Sequence, residues 1–421
     1  MLHDLSRPRG YAVSVSALVL LLSWPLPAAT TFAKPEQVGL SSERLVRIGE
    51  LIDRQIENGY LSGAVALVAR RGQVAYLESR GISDIQSKKP MRKESLFRIA
   101  SMSKPITAVA ILMLVEEGKV RLTDPVSRFI PEFKSLQVAV QAGPSSGTPA
   151  DSQFSTVPAE REITIRDLLT HTSGLMSGGV SAKEAARQPR KPEETLADYI
   201  PRLAIVPLVF QPGTRWTYSP LGGFDTLGRV VEIASGQTFD RFLKNRLFDP
   251  LDMTSTAFTV RRDRADLLAT IHRRTPNGLQ IFANQNQLTS DTYFSGAGGL
   301  ISSAEDYLQF AQMLLDRGVR NGRRILSPTT VDLMTGIHVA DSVPGSPRGR
   351  AFGLGVQVIT DPYPQGFRVS EGSFGWAGAY CTFFWVNPRE KLVSIFMTQS
   401  EPFSLDPSRD FDNAVMQAII E

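Results

Sequence analysis

Ser101 and Lys104 stand three residues apart in the run Phe97-Arg98-Ile99-Ala100-Ser101-Met102-Ser103-Lys104, where an apolar helical pattern over residues 101–117 begins. That spacing sets both side chains on one face of a helix, one turn apart. A serine hydroxyl becomes a useful nucleophile only when a neighbour accepts its proton, and a desolvated lysine can assist. The unpaired N–H groups at a helix start, with the dipole behind them, favour the negative charge that grows on an attacked carbonyl oxygen. Pro105 is compatible with this reading because it falls in the first turn. A capping serine beside a solvated lysine has the same spacing, so the pair alone leaves both readings open.

Another serine, Ser145, lies in Gly143-Pro144-Ser145-Ser146-Gly147. That G-x-S-x-G pattern works on a sharp strand-to-helix turn with later Asp and His partners. Here it falls in a polar stretch with no strand before it and no helix after it, and it is read as coincidence. More informative is a series spread along the chain. His171-Thr172-Ser173-Gly174-Leu175 follows an amphipathic segment, and Pro212-Gly213-x-x-Trp216-x-Tyr218-Ser219 comes some 40 residues later. Phe248-Asp249-Pro250-Leu251-Asp252-Met253-x-x-Thr256, Gly296-Ala297-Gly298-Gly299-Leu300-x-Ser302-x-x-Asp306 and Gly375-Trp376-Ala377-Gly378 complete it.

In this order the motifs resemble those of the serine β-lactamase superfamily, which includes class C β-lactamases, D-Ala-D-Ala carboxypeptidases of the penicillin-binding-protein fold and family VIII carboxylesterases. The similarity runs from about residue 36 to the C-terminus. The resemblance implies that Ser101 is acylated, that Lys104 activates it and that Tyr218 is the general base working with Lys104. It also implies that Gly375–Gly378 line the site on a strand. The backbone N–H of Ala379, just after Gly378, then completes an oxyanion hole with that of Ser101. Two positions depart from the penicillin-recognising pattern. Trp376 stands where Lys or His is usual and offers an indole N–H without a charge, in the manner of the W-x-G motif of family VIII esterases. Pro220 stands where Asn is usual and has no side-chain donor or acceptor for a substrate amide. An ester with apolar groups needs neither feature. The expected function is therefore hydrolysis of a small-molecule carboxylic ester through an acyl-enzyme on Ser101. The alternatives are a β-lactamase, D-Ala-D-Ala carboxypeptidase or D-aminopeptidase using the same residues, and a non-catalytic acyl-ligand or cell-wall binding protein. Acyl transfer to an alcohol or amine is an open variant of the first reading.

The elements that must position these residues read as α/β at both ends and helical in the middle. Apolar residues recur at helical spacing from Leu40 to Ile56. Strand-like runs follow at Ala64–Val68 and Val74–Leu77, and others return at Phe352–Val358, Tyr380–Val386 and Leu392–Met397 before a helix near Phe411–Ile420. This order predicts an α/β (α+β) fold: an antiparallel sheet flanked by helices and built from both chain ends, with a mainly helical domain inserted. The expected boundaries are 34–119 with 291–421 for the sheet domain and 120–290 for the helical one, with a polar loop at 141–160. His171 is expected to support the fold, Trp216 to shape an acyl pocket or simply pack, Cys381 to be a small buried strand residue, and Asp225 and Asp306 to be helix caps or surface groups.

Composition narrows the function classes further. The 421 residues carry 46 Lys plus Arg against 42 Asp plus Glu, a net charge of +4 too dilute and scattered for a nucleic-acid surface. The one cysteine, Cys381, excludes an intramolecular disulfide and a cysteine-based metal site. No clustered ligands call for a metal, and no cofactor is expected. Arg7 and Arg9, the apolar stretch Ala12–Leu22 and the Trp24, Pro25 and Pro27 that break it read as a signal peptide over residues 1–33. Its apolar run is short of the about 20 residues of a spanning helix. The expectation is a periplasmic or secreted protein with no stable membrane association after cleavage. N-terminal sequencing of the exported protein is expected to start after Ala29 or Ala33, whereas a chain starting at Met1 in the membrane fraction would mark a retained anchor.

Overall fold

The computed structural model describes Met1 and residues 31–141 and 154–421. Most of the expected signal segment and the Ser145 pentapeptide lie outside the described residues. In chain order, helix α1 (Ser42–Glu57) leads into the hairpin β1 (Gly63–Arg70) and β2 (Gln73–Asp84) and the short β3 (Lys89–Pro90). Helices α2 (Ser103–Glu116), α3 (Ile165–Leu169) and α4 (Gly222–Ser235) occupy the middle of the chain. Helix α5 (Ala304–Leu315) then precedes β4 (Arg350–Phe352), β5 (Gln357–Ile359), β6 (Phe374–Gly378), β7 (Thr382–Asn387) and β8 (Leu392–Thr398), and α6 (Asp406–Met416) closes the order. The strands form one eight-stranded antiparallel sheet in the order β4-β5-β6-β7-β8-β1-β2-β3. Both chain ends therefore build it, and β1 and β8 are the seam, paired from Ala64↔Thr398 to Arg70↔Leu392.

Side-chain alternation explains why these central strands are apolar throughout. In β1, Val65, Leu67 and Ala69 face one buried cluster, shared with Phe384 and Ile395 and with Ile106, Ala110, Phe310 and Met313 of α2 and α5. Ala64, Ala66 and Val68 face the other, with Leu45, Ile48 and Ile52 of α1 and Phe411 and Val415 of α6. Every residue of β1 is buried, and the one charged side chain, Arg70 at its end, is held by the carbonyls of Val38, Gly39 and Glu421 and by Glu390. Helix α1 has one wet face, starts where Ser41 Oγ accepts from the N–H of Arg44 at 3.2 Å, and keeps the 3.6-residue apolar repeat. Helix α2 has almost no wet face: Ser103 to Leu114 are all buried, with α4 packed against them. No helix among the described residues is long and apolar enough to cross a membrane.

Several expectations needed correction. Residues 137–141 and 154–158, the latter expected as loop, pair as an antiparallel hairpin from Gln137↔Pro158 to Gln141↔Phe154, and 142–153 between them lie outside the described residues. The middle of the chain also carries a second hairpin, His272–Thr275 with Gly278–Ile281. These strands are short and two-faced, so they leave little periodicity to read. The strand expected at Tyr380–Val386 starts at Thr382, and Cys381 sits in the preceding turn at φ 60°, buried as expected, with burial pushing its thiol up to about 11.

One contact sets where the sheet meets the middle of the chain. At the end of β6, a Cβ on Gly378 would lie 2.3 Å from the carbonyl oxygen of Ile99 and 2.1 Å from Thr382 Oγ1. The threonine can rotate away but the backbone oxygen cannot, so only glycine lets β6 approach the Ile99–Ser101 segment this closely. Gly378→Ala is expected to lower unfolding free energy by about 1–3 kcal/mol through this overpacking. Denaturant titration checks it, and an unchanged midpoint would show that the two segments separate freely.

Candidate active site

The chain enters the site from a two-residue strand, Phe97–Arg98, paired with Ile301–Ser302. Ala100 then takes φ 43°, a left-handed conformation that costs a non-glycine residue on the order of 1 kcal/mol. It turns the chain into a 3₁₀ turn, Ala100–Met102, that runs directly into α2. Ser101 therefore sits in the tight turn just ahead of the α-helix, and Lys104 in the helix's first turn.

Lys104 is fully buried. Its ammonium has three N–H donors and reaches three acceptors: Ser101 Oγ at 3.2 Å, the Pro220 carbonyl at 2.8 Å and the Ala297 carbonyl at 2.8 Å. Tyr218 Oη lies 2.6 Å from Ser101 Oγ, and its ring centroid is 5.0 Å from Lys104 Nζ. Tyr218 and Lys104 thus meet at the serine oxygen, although Tyr218 is 117 residues away in sequence. Pro220 is exposed and contributes its backbone carbonyl to Lys104; it does not line the cavity that Ser101 opens into.

That cavity, of about 430 Å³, is lined by Ser101, Tyr218, Trp376, Gly378 and Ala379, and continues over Phe383 and Trp385 of β7. Gly378 is buried and Ala379 exposed at its mouth. Trp376 is half-buried, its ring 5.6 Å from that of Tyr218 and 5.2 Å from that of Phe352, and its Nε1 has no hydrogen-bond partner among the described residues. Trp216 packs on Phe352 and on His171, away from Ser101.

Supporting groups surround this core. His171 is buried at φ 59°, with ring contacts to Tyr218 at 4.8 Å and Phe224 at 5.3 Å. Burial, and secondarily the charge of Lys104, hold its imidazole well below the usual histidine range, so it is neutral. Its Nδ1 accepts from the N–H of Ser219 at 3.2 Å, which ties down the residue next to Tyr218. This is the expected supporting role. Asp225 is different from expectation. It is buried in α4, accepting from Tyr293 Oη at 2.9 Å, Ser295 Oγ at 2.6 Å and the N–H of Ala297 at 3.0 Å. Burial raises its carboxyl above the usual range. It fixes Ala297, whose carbonyl holds Lys104, a link that joins segments 72 residues apart and leaves no local pattern. Asp306 is likewise buried, binding Ser255 N–H and Thr256 Oγ1 at 2.7 and 2.9 Å, with its carboxyl pushed up to about 6 by burial. It joins α5 to the Ser255–Thr256 segment, 51 and 50 residues earlier in the chain. Among the described residues no three His, Cys, Asp or Glu side chains cluster as metal ligands.

A nucleophilic serine with a buried lysine and a tyrosine on its oxygen, at the mouth of a largely apolar cavity, is equipped for acyl transfer. The Beta-lactamase family model matches residues 48–417. Protein Rv1367c of Mycobacterium tuberculosis is 37% identical over 82% of this chain and 87% of its own length. Esterase EstB of Burkholderia gladioli is 30% identical over 84% of this chain and 90% of its own. The structure of EstCE1, described as a hydrolase with promiscuous acyltransferase activity, superposes with a TM-score of 0.76 at 27% identity, covering 89% of this chain and 99% of that one. The chain thus belongs to the beta-lactamase family, as a serine hydrolase on the β-lactamase/transpeptidase fold with esterases among its relatives.

Proposed function

We propose that this protein is a carboxylesterase that works through an acyl-enzyme on Ser101. The observation that carries the reading is the pairing of two features: a serine oxygen shared by Tyr218 and Lys104, and an uncharged Trp376 beside it in the cavity. Esterase relatives such as EstB support it.

Ser101 Oγ attacks the ester carbonyl carbon while its proton passes to Tyr218 Oη, which acts in its deprotonated form beside the Lys104 ammonium. The carbonyl oxygen becomes an oxyanion held by the N–H groups of Ser101 and Ala379, with the start of α2 adding its dipole. As the C–O bond to the alcohol breaks, Tyr218 returns the proton to the leaving oxygen. Water then enters, gives a proton to Tyr218 and adds to the acyl carbon. Collapse releases the acid, and Ser101 Oγ takes its proton back. An alcohol in place of water would complete a transesterification by the same steps, a variant that the promiscuous acyltransferase activity of EstCE1 makes worth testing. Trp376 supplies a flat apolar wall where a cation would hold a substrate carboxylate next to the scissile bond, so neutral acyl groups pass without an unpaired charge.

Two predictions follow from the arrangement of the site. Ser101→Ala is expected to lower p-nitrophenyl butyrate hydrolysis by ~10³-fold or more, with fluorophosphonate labelling of the wild type found on Ser101 by mass spectrometry. In the same assay series, faster turnover of nitrocefin or a D-Ala-D-Ala peptide than of esters would replace the esterase reading by a lactamase or peptidase one, and no serine adduct would favour a binding protein. Asp225→Asn leaves one acceptor oxygen for three donors, sets an amide N–H₂ against either Tyr293 Oη or the Ser295 and Ala297 donors, and so weakens the hold on Ala297. It is expected to cut kcat by about tenfold or more while KM shifts little, because displacing a positioned group by a fraction of an ångström is costly to the chemical step. A change confined to thermal stability would limit Asp225 to holding the fold.

A further inference from the structure

The cavity does not end at the apolar wall. Arg350, on the edge strand β4, is 8% exposed and lines the same cavity as Ser101. Its Nη1 donates to Gln357 Oε1 at 2.9 Å, and its guanidinium stacks 4.6 Å from the ring centroid of Phe367. Its Nε is buried with no hydrogen-bond partner, and no carboxylate among the described residues comes within ion-pair distance, 4.0 Å, of it. A second guanidinium, Arg409 of α6, lines the cavity beside it, 5.8 Å from the same Phe367 ring and also with its Nε unpartnered. Arg409 has only a 3.8 Å contact to Asp406.

The carboxyl nearest in charge terms is Asp412, which also lines the cavity. Burial pushes it up to about 8, against its bonds to Ser394 and Ser408, so at neutral pH it mostly keeps its proton and leaves the guanidinium charge uncompensated. Burial, and then Arg409, pull Arg350 down to about 10, which still leaves it charged at neutral pH. A buried cation of this kind is costly unless an anion meets it, and a guanidinium offers a fork that matches a carboxylate.

The sheet register gives the placement. Gln357, which holds Arg350, pairs with Gly375, and Gly378 at the other end of that strand abuts the Ile99–Ser101 segment. Three strand residues span about 10 Å. The stretch between is apolar, with the Trp385 ring closing on Gly375, where a Cβ would come within 2.9 Å of it, and with Phe383 and Leu405 alongside.

We propose that Arg350, flanked by Arg409, forms an anion subsite that receives the carboxylate of an ester whose apolar chain ends in one. This differs from recognising a carboxylate beside the scissile bond, where Trp376 stands. The proposal rests on the ester-hydrolysis reading, and its test separates the two. Methyl half-esters of C4 to C10 α,ω-diacids are compared with their dimethyl diesters, and acetate esters of ω-hydroxy acids with those of the matching alkanols. The expected result is a kcat/KM at least tenfold higher for the anionic member at the best chain length. In Arg350→Gln the ratio of anionic to neutral substrate falls towards one, and Arg350→Lys retains part of it. No anionic preference at any length in the wild type overturns the proposal while leaving esterase activity on p-nitrophenyl butyrate in place. So does an equal loss on both substrates in Arg350→Gln, which would make Arg350 a structural residue of the edge strand. If p-nitrophenyl butyrate is not turned over at all, the ester reading fails on its own, and calorimetry with monomethyl suberate then decides the subsite. Saturable binding weakened tenfold or more in Arg350→Gln supports it, and no binding to the wild type overturns it.

Discussion

A buried ammonium organises this molecule. Lys104 has left water entirely, which is tolerable only if every donor is filled. Its three acceptors come from the turn before α2, the segment just before α4 and the loop before α5. Three distant parts of the chain must therefore converge within hydrogen-bond length of one nitrogen. Each has its own anchor: Ala100 in its left-handed turn for Ser101, His171 through Ser219 for the Tyr218–Pro220 segment, and Asp225 for Ala297. The same convergence puts Tyr218 on the serine oxygen.

The sheet contributes a second constraint, close approach. Gly378 lets β6 come against the Ile99–Ser101 turn, and Gly375 lets the Trp385 ring close over the strand. The cavity between is shaped by these two missing side chains as much as by the aromatic residues that line it. Its charge distribution is uneven: neutral at Trp376, cationic at Arg350 and Arg409. An enzyme that binds by such a gradient selects substrates by where their charge sits along the chain.

What could be read beforehand depended on locality. The Ser101–Lys104 pair was legible because the two residues are one turn apart, and β1 and β8 because burial on two faces leaves continuous apolar runs. The run expected as one strand at Phe352–Val358 instead spans the turn between β4 and β5. The hairpin at 137–158 was not, because its strands are short and mostly exposed on the outer one, and the polar stretch between them obscured the pairing. Asp225, expected to be a cap or a surface group, is buried with three donors, two of them hydroxyls on residues about 70 positions away. Cys381 was expected in a strand and stands in the turn before one.

The sequence by itself determined which residues could attack, activate and polarise, since these are properties of side-chain type, short spacing and motif order. It also carried the absent cation at position 376. Only the tertiary structure decided what surrounds them. Whether Lys104 is dry, which carbonyls hold it, and whether Arg350 meets a carboxylate depend on distances between segments up to hundreds of residues apart. Electrostatic and hydrogen-bond energies vary over a few ångströms, and no local pattern records distances across the fold on that scale.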